Sequence, residues 1–140
     1  MGSYDRLPQR GSLRQALNEQ TNFGVNKMNL KIEDKNAEKI GRPIIECLTE
    51  AYVTSDYHFM SKNFPELTKG ITQEVFSEAV NDLKPLGKVL SIDFLGLFNK
   101  TDEQVLLWNV RYEKLGDDVL WHLFLTQHGS ELKTTAICII

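Results

Sequence analysis

The chain has 140 residues, 41% hydrophobic and 25% charged, with a formal net charge of -3. Those proportions belong to an ordinary globular protein long enough to bury a core and too short for two domains. Lys and Arg are scattered rather than clustered, which argues against nucleic acid as a partner, and the longest apolar runs are strand-sized, far below the ~18 residues that a membrane helix needs.

Residues 1–30 differ from the rest. Arg6, Arg10, Arg14 and Lys27 outnumber Asp5 and Glu19, and Gly2, Pro8, Gly11 and Gly24 interrupt any long element. Ser12 to Gln20 is the one stretch with helical signals, Ser12 and Gln15 fitting a capping box, and a helix that short is marginal alone. The segment is expected to be a flexible N-terminal arm or leader, with Met28 as an alternative start, or else an arm that docks on a subunit. Arg6 stands where a myristoylation signal wants Ser or Thr. No apolar signal core is seen, so the cytoplasm is the expected compartment unless a signal was removed beforehand.

From residue 31 onward a single α+β domain is expected. Ala37, Ile40, Ile44, Leu48, Ala51, Ser55 and Phe59 recur at helical spacing, predicting an amphipathic helix from Asp34 to about Ser61. Asp34 is its expected cap, and Gly41 with Pro43 predicts a kink, or a restart near Arg42. Glu46 and Glu50, one turn apart, read as a solvated face before they read as a metal or acid site. Asn63 to Gly70 is a connection with a helical turn at Pro65 to Lys69. Thr72 then caps a second helix whose inward stripe is Val75, Phe76, Ala79, Val80 and Leu83, stopped by Pro85.

After Gly87 the period changes from 3.6 to 2, and four strands follow. In the first, Leu90, Ile92, Phe94 and Phe98 share one face; in the second, Leu106, Trp108, Val110 and Tyr112 do. Leu115-Gly116-Asp117-Asp118 has hairpin-turn chemistry, and closing there pairs Tyr112 with Trp121, Val110 with Leu123 and Trp108 with Leu125. Thr134, Ala136 and Cys138 extend that face, which is expected to lie under the helices. The opposite face mixes Asp93, Asn109 and Thr135 with Leu95, Leu107, Arg111, Leu120, His122, Phe124, Ile137 and Ile139. Apolar patches of this size usually meet something. Leu107, Arg111, Leu120, His122, Phe124, Ile137 and Ile139 are therefore expected to form a homodimer interface.

The helix ending near Asp56-Tyr57 and Phe59, the Phe64-Pro65-Glu66-Leu67 connection, the I-T-Q-E-V-F helix start, L-K-P-L-G-K and the four-stranded meander together resemble small bacterial proteins of the nuclear transport factor 2-like, cystatin-related superfamily, over about residues 35–140. The resemblance implies a curved antiparallel sheet wrapped with helices into a cone around an internal pocket, dimeric through the outer sheet face. The superfamily includes enzymes resembling ketosteroid isomerase, polyketide cyclase and scytalone dehydratase.

Tyr52, Tyr57, Trp108, Tyr112 and Trp121 could line a pocket between helix and sheet, where phenol and indole donors suit a flat hydrophobic ligand; close packing of the same aromatics is the plainer reading. Asp93, Arg111 and His122 fall on one face of adjacent strands as an anion or acid-base cluster, or as a polar border to the interface. Cys47 and Cys138 read as small buried free thiols. No His or Cys spacing suits zinc, and isolated glycines match no nucleotide fingerprint, so neither metal nor cofactor is expected and no catalytic residue is assigned. The leading expectation is a homodimeric small-molecule-binding or interaction module. A small lyase or isomerase acting on a hydrophobic substrate is the alternative; it needs Asp93 or His122 to point into the cavity. A third reading is a structural or accessory domain whose basic arm engages an acidic partner.

Overall fold

A computed structural model describes residues 31–129 and 131–140; the expected arm at 1–30, with its short helix, lies outside the described residues. Four α-helices come first among them: α1 (Asp34–Val53), α2 (Tyr57–Asn63), α3 (Pro65–Thr68) and α4 (Gln73–Leu83), followed by a 3-10 turn (Lys84–Leu86). Then come β1 (Val89–Asn99), β2 (Gln104–Tyr112), β3 (Val119–His128) and β4 (Glu131–Ile139), paired antiparallel in chain order as an open meander. The fold class is thus α+β, helices preceding an antiparallel sheet, as the change of period predicts.

The cap of helix α1 lies one residue before the expected Asp34. Glu33 is the N-cap, and its backbone N–H is held by the Asn36 side chain at 2.7 Å in a reciprocal capping box. The helix runs through Gly41 and Pro43 without interruption, and at Gly41 its backbone lies against the sheet. A Cβ built there would stand 2.5 Å from Leu106 Cδ2 and 2.9 Å from Trp108 Cζ2. The break comes instead at 54–56: Ser55 takes a positive φ of 55°, and the Asp56 carboxylate accepts the Phe59 N–H at 3.0 Å to start α2. The long helix expected from Asp34 to Ser61 is therefore two helices.

Helix α4 is capped by Thr72, whose hydroxyl accepts the Val75 N–H at 3.2 Å. Of its expected stripe only Phe76 is fully buried and Val75 is exposed, since α4 rides at the margin of the helix layer beside α1.

In the central hairpin Trp108 lies opposite Trp121, Leu106 opposite Leu123 and Val110 opposite Val119. The expected pairing of Tyr112 with Trp121 is displaced by four residues because the loop spans 113–118; Asn109 Nδ2 donates to Asp118 Oδ1 at 2.9 Å and pins that loop back on β2. An even displacement leaves every side chain on its expected face. Leu106, Trp108 and Val110 of β2 and Trp121, Leu123 and Leu125 of β3 accordingly form the core under Ile45, Leu48 and Met60.

The outer strands behave differently because they are bulged. Register shifts fall between Val89 and Ser91 and between Phe94 and Gly96 in β1, and opposite Phe124/Leu125 in β4. Each extra residue reverses the alternation beyond it. Leu90 and Phe98, expected inside, are exposed, Phe98 at 55%, and Val89 and Leu97 pack inward in their place. In β4 Ile137 and Ile139 face Leu123 and Trp121 and pack on the core, so they do not belong to the outer interface assigned to them. Ala136 and Cys138 turn outward instead, and Cys138 is an exposed thiol while Cys47 is buried.

Candidate functional site

A cleft of about 530 Å³ opens at one end of the helix layer. Its walls are the end of α1 with the following turn, the last turn of α4, the start of β1 and the end of β2. Local backbone geometry makes the opening. The positive φ of Ser55 turns the chain out of α1, and Gly87, at φ 83°, carries it from the 3-10 turn into β1. The positive φ is what favours glycine there; a Cβ would also stand 2.7 Å from Glu113 Oε1, the far end of an exposed side chain that can move aside. Glu113 N–H donates to the Lys88 carbonyl and Lys114 N–H to the Leu86 carbonyl, both at 2.8 Å, while Glu113 Oε1 accepts the Lys88 N–H at 3.3 Å. These bonds hold the rim in place.

Tyr52 from α1 and Tyr112 from β2 line the cleft, each only 4% exposed. Burial pushes both phenols up to about 12, with nearby Tyr57 adding to the rise at Tyr52. At Tyr112 the Trp121 N–H dipole opposes part of the rise, yet it stands outside hydrogen-bonding geometry. Among the described residues neither the Tyr52 nor the Tyr112 hydroxyl makes a protein hydrogen bond. The buried side-chain atoms without a partner among the described residues are the two indole N–H groups and Asn109 Oδ1, and neither phenol oxygen is one of them. Val80 and Leu83 supply apolar wall, and Lys84, Lys88 and Glu113 the charged rim.

The other expected pocket residues lie elsewhere. Tyr57 is turned away, its hydroxyl donating to the Ile71 carbonyl at 2.7 Å and its ring 5.4 Å from that of Phe76. Trp108 is fully buried, 5.0 Å from the Phe94 ring with the Arg42 guanidinium 5.3 Å above its own. Trp121 packs edge-on to Tyr52 at 5.5 Å, and the N–H of each indole is buried without an acceptor. Of five residues assigned from the sequence, two reach the cleft. Lys84 and Lys88 were missed. The only sequence signal there was the punctuation of L-K-P-L-G-K, which marks a turn and not a rim.

The Asp93, Arg111 and His122 cluster does not assemble. Arg111 lies between Asp93 at 4.0 Å and Asp118 at 3.6 Å, all of them exposed. His122 pairs with Leu107, about 13 Å along the strands from Arg111's rung at ~3.3 Å per residue, and its Nδ1 lies 3.4 Å from the Cys138 carbonyl oxygen. On the same outer face Leu107, Leu120 and Phe124 are half-buried, and Val105 is covered between Phe98 and Phe124 on the adjoining strands.

Glu46 faces Arg42 at 3.7 Å; burial pushes its carboxyl up and Arg42 opposes the rise. Among the described residues no group of three His, Cys, Asp or Glu side chains could hold a metal ion, and no helix is long and apolar enough to cross a membrane. No protein-family model, curated protein or solved structure matches the chain.

Proposed function

We propose that this protein is a small-molecule-binding module whose site is the cleft above Tyr52 and Tyr112. The observation that carries this reading is the cleft of 530 Å³ itself, onto which two otherwise buried tyrosines, Tyr52 and Tyr112, open. That volume falls in the range of drug-sized ligand sites, and an apolar wall with a few polar groups is their usual chemistry. The resemblance over about residues 35–140 and the order of helices and meander support a nuclear transport factor 2-like cone. The bulges in β1 and β4 are the devices by which such a sheet curves.

The outer sheet face is proposed to meet a second copy of the chain through Phe98, Leu107, Leu120, Phe124 and the flanking Arg111 and His122. Support comes from its half-buried and exposed apolar groups. Ile137 and Ile139 are excluded, being packed on the core. The enzymatic alternative, a lyase or isomerase working through Asp93 or His122, loses both residues, which stand on the face away from the helices.

Two measurements test these readings. N-phenyl-1-naphthylamine, a neutral apolar fluorophore, should bind the wild-type protein and be blocked by Asn81→Trp, which fills the cleft from the exposed side of α4. Binding that persists in that variant removes the cleft as the site. Phe124→Glu should lower the association state seen by native mass spectrometry, and an unchanged state removes the dimer face.

A further inference from the structure

The bulge opposite Phe124 and Leu125 brings a thiol and an imidazole side by side on the outer sheet face. Cys138 lies directly opposite His122 across the β3–β4 ladder, so the two side chains leave the same face with Cβ atoms ~4.5–5.5 Å apart. The thiol is free and exposed, and the imidazole is half-buried. His122 Nδ1 lies 3.4 Å from the Cys138 carbonyl oxygen. The Nδ1–H tautomer donates to that oxygen and leaves the lone pair on Nε2, the arrangement in which metal-bound histidines are commonly held by a backbone carbonyl. Among the described residues, His122 Nε2 and the Cys138 sulfur are not engaged by another side chain.

Each chain thus holds half of a tetrahedral site. Zinc takes four ligands of the thiolate and imidazole kind, and among the described residues no group of three His, Cys, Asp or Glu side chains completes a set within one chain. The surroundings give two halves a reason to meet. His122 stands between Leu120 and Phe124 on β3 and beside Leu107 on β2, within the apolar face proposed above to meet a second copy. An imidazole buried there without a partner would be costly. Sheets packed face to face lie ~10 Å apart, so the mid-plane is ~5 Å from each. That is within reach of a thiolate and an imidazole, which bind zinc at ~2.0–2.3 Å. Two thiolates also cancel the charge of one divalent cation, which leaves the assembled centre neutral among apolar neighbours.

Accepting the outer face as the dimer contact, we propose that His122 and Cys138 of two copies together bind one divalent transition-metal ion of the zinc type. Each Cys138 gives up its thiol proton as its sulfur–metal bond forms, and both imidazoles enter neutral. No electron is transferred. Two protons leave for each ion bound, so binding strengthens as pH rises.

Cobalt(II) is a suitable probe, because a tetrahedral thiolate site gives it intense visible bands and a sulfur-to-cobalt charge-transfer band, whereas an octahedral oxygen site gives neither. With a non-thiol reductant present, the wild-type chain should take up one cobalt ion per pair of chains with both signals, and zinc should displace it. Zinc should also tighten self-association in sedimentation by roughly ten- to a hundredfold, the usual span of coupling between two binding events. Cys138→Ser should lose the charge-transfer band although Cys47, which is buried, is still present. His122→Phe should weaken cobalt binding by at least ~100-fold, since even the loss of an outer partner of a ligand costs ~10–100-fold. Folding does not confound these variants, because neither position belongs to the core, and their metal-free melting temperatures should match wild type. Octahedral bands alone, a thiolate band that survives Cys138→Ser, or one ion per single chain overturns the proposal. A dimer that Phe124→Glu dissociates but that binds no cobalt removes the metal site and leaves the dimer face standing. A chain that stays monomeric with and without metal removes both.

Discussion

Gly41→Ala is the substitution for which the sequence and the fold make opposite predictions. Read on a helix alone, it should stabilise the protein by about 1 kcal/mol, since alanine is the better helix former and has less backbone freedom to lose. The tertiary structure reverses the sign. The new methyl would approach Leu106 Cδ2 to 2.5 Å and Trp108 Cζ2 to 2.9 Å, and both residues are fully buried. Overpacking of that kind costs roughly 1–3 kcal/mol. Two contacts under 3.0 Å put Gly41 in the upper half of that range, roughly 2–3 kcal/mol, so with the propensity gain of about 1 kcal/mol set against it a net loss of about 1–2 kcal/mol is expected. For a chain of this size unfolding entropy is about 0.3 kcal/mol/K, so the melting temperature should fall by roughly 3–7 °C. Thermal and urea denaturation followed by circular dichroism would measure it. Leu106→Val provides the internal control. It removes the nearer clash, so the double variant should be more stable than the two single losses added together, by at least ~0.5 kcal/mol. A Gly41→Ala protein as stable as wild type, or strictly additive losses, would refute the close approach of α1 to β2.

The hairpin register can be tested by crosslinking in a Cys138→Ser background. Asn109→Cys with Leu120→Cys occupies directly opposed positions and should oxidise to an intramolecular disulfide. Arg111→Cys with His122→Cys, about 13 Å apart along the strands, should not, because a disulfide needs Cα atoms within ~7 Å; the reverse result would restore the four-residue turn. Glu66 is held below the usual carboxylate range by hydrogen bonds from Lys69 and Lys133. A lowered folded value means its contribution is fully present above pH 4.5, the ordinary value, and is lost as pH falls through the folded one. Glu66→Gln should therefore be less stable than wild type at neutral pH and converge with it in acid; a gap of constant size across that range would show that the ion pair is not the cause. Tyr52 and Tyr112 work in the opposite direction. Their contribution is complete below pH 10.0 and is lost as pH rises toward about 12, so the double phenylalanine variant should keep more of its stability at pH 11 than wild type does. Parallel alkaline unfolding curves would contradict this.

Which parts of the protein could be read from the chain follows from the range of the interactions involved. Thr72 caps its helix because its hydroxyl needs only the Val75 N–H three residues on, and Ser91 to Phe94 alternate because a strand has period two. The α+β order and the core faces of β2 and β3 depend on that kind of local rule. Tyr52 and Tyr112 were found as buried aromatics, but what separates them from Trp108 is position. The cleft happens to reach two of the aromatic side chains and not the others, and no residue type or spacing encodes that.

The sequence by itself determined the elements, their order and which side of each unbulged strand is apolar, since propensity, capping and period act within a few residues. Only the tertiary structure decided the rest. A bulge adds one residue and turns Ile137 and Ile139 inward and Cys138 outward, and the pattern of apolar residues looks equally acceptable either way until a partner strand is present. Gly41 looked like a helix breaker until Leu106 and Trp108 came to lie against it. Lys84 and Lys88 became a rim only when the end of β2 was brought beside them by hydrogen bonds from residues about 25 positions away. These are contacts between distant parts of the chain, set by packing of whole elements, and no local rule contains them.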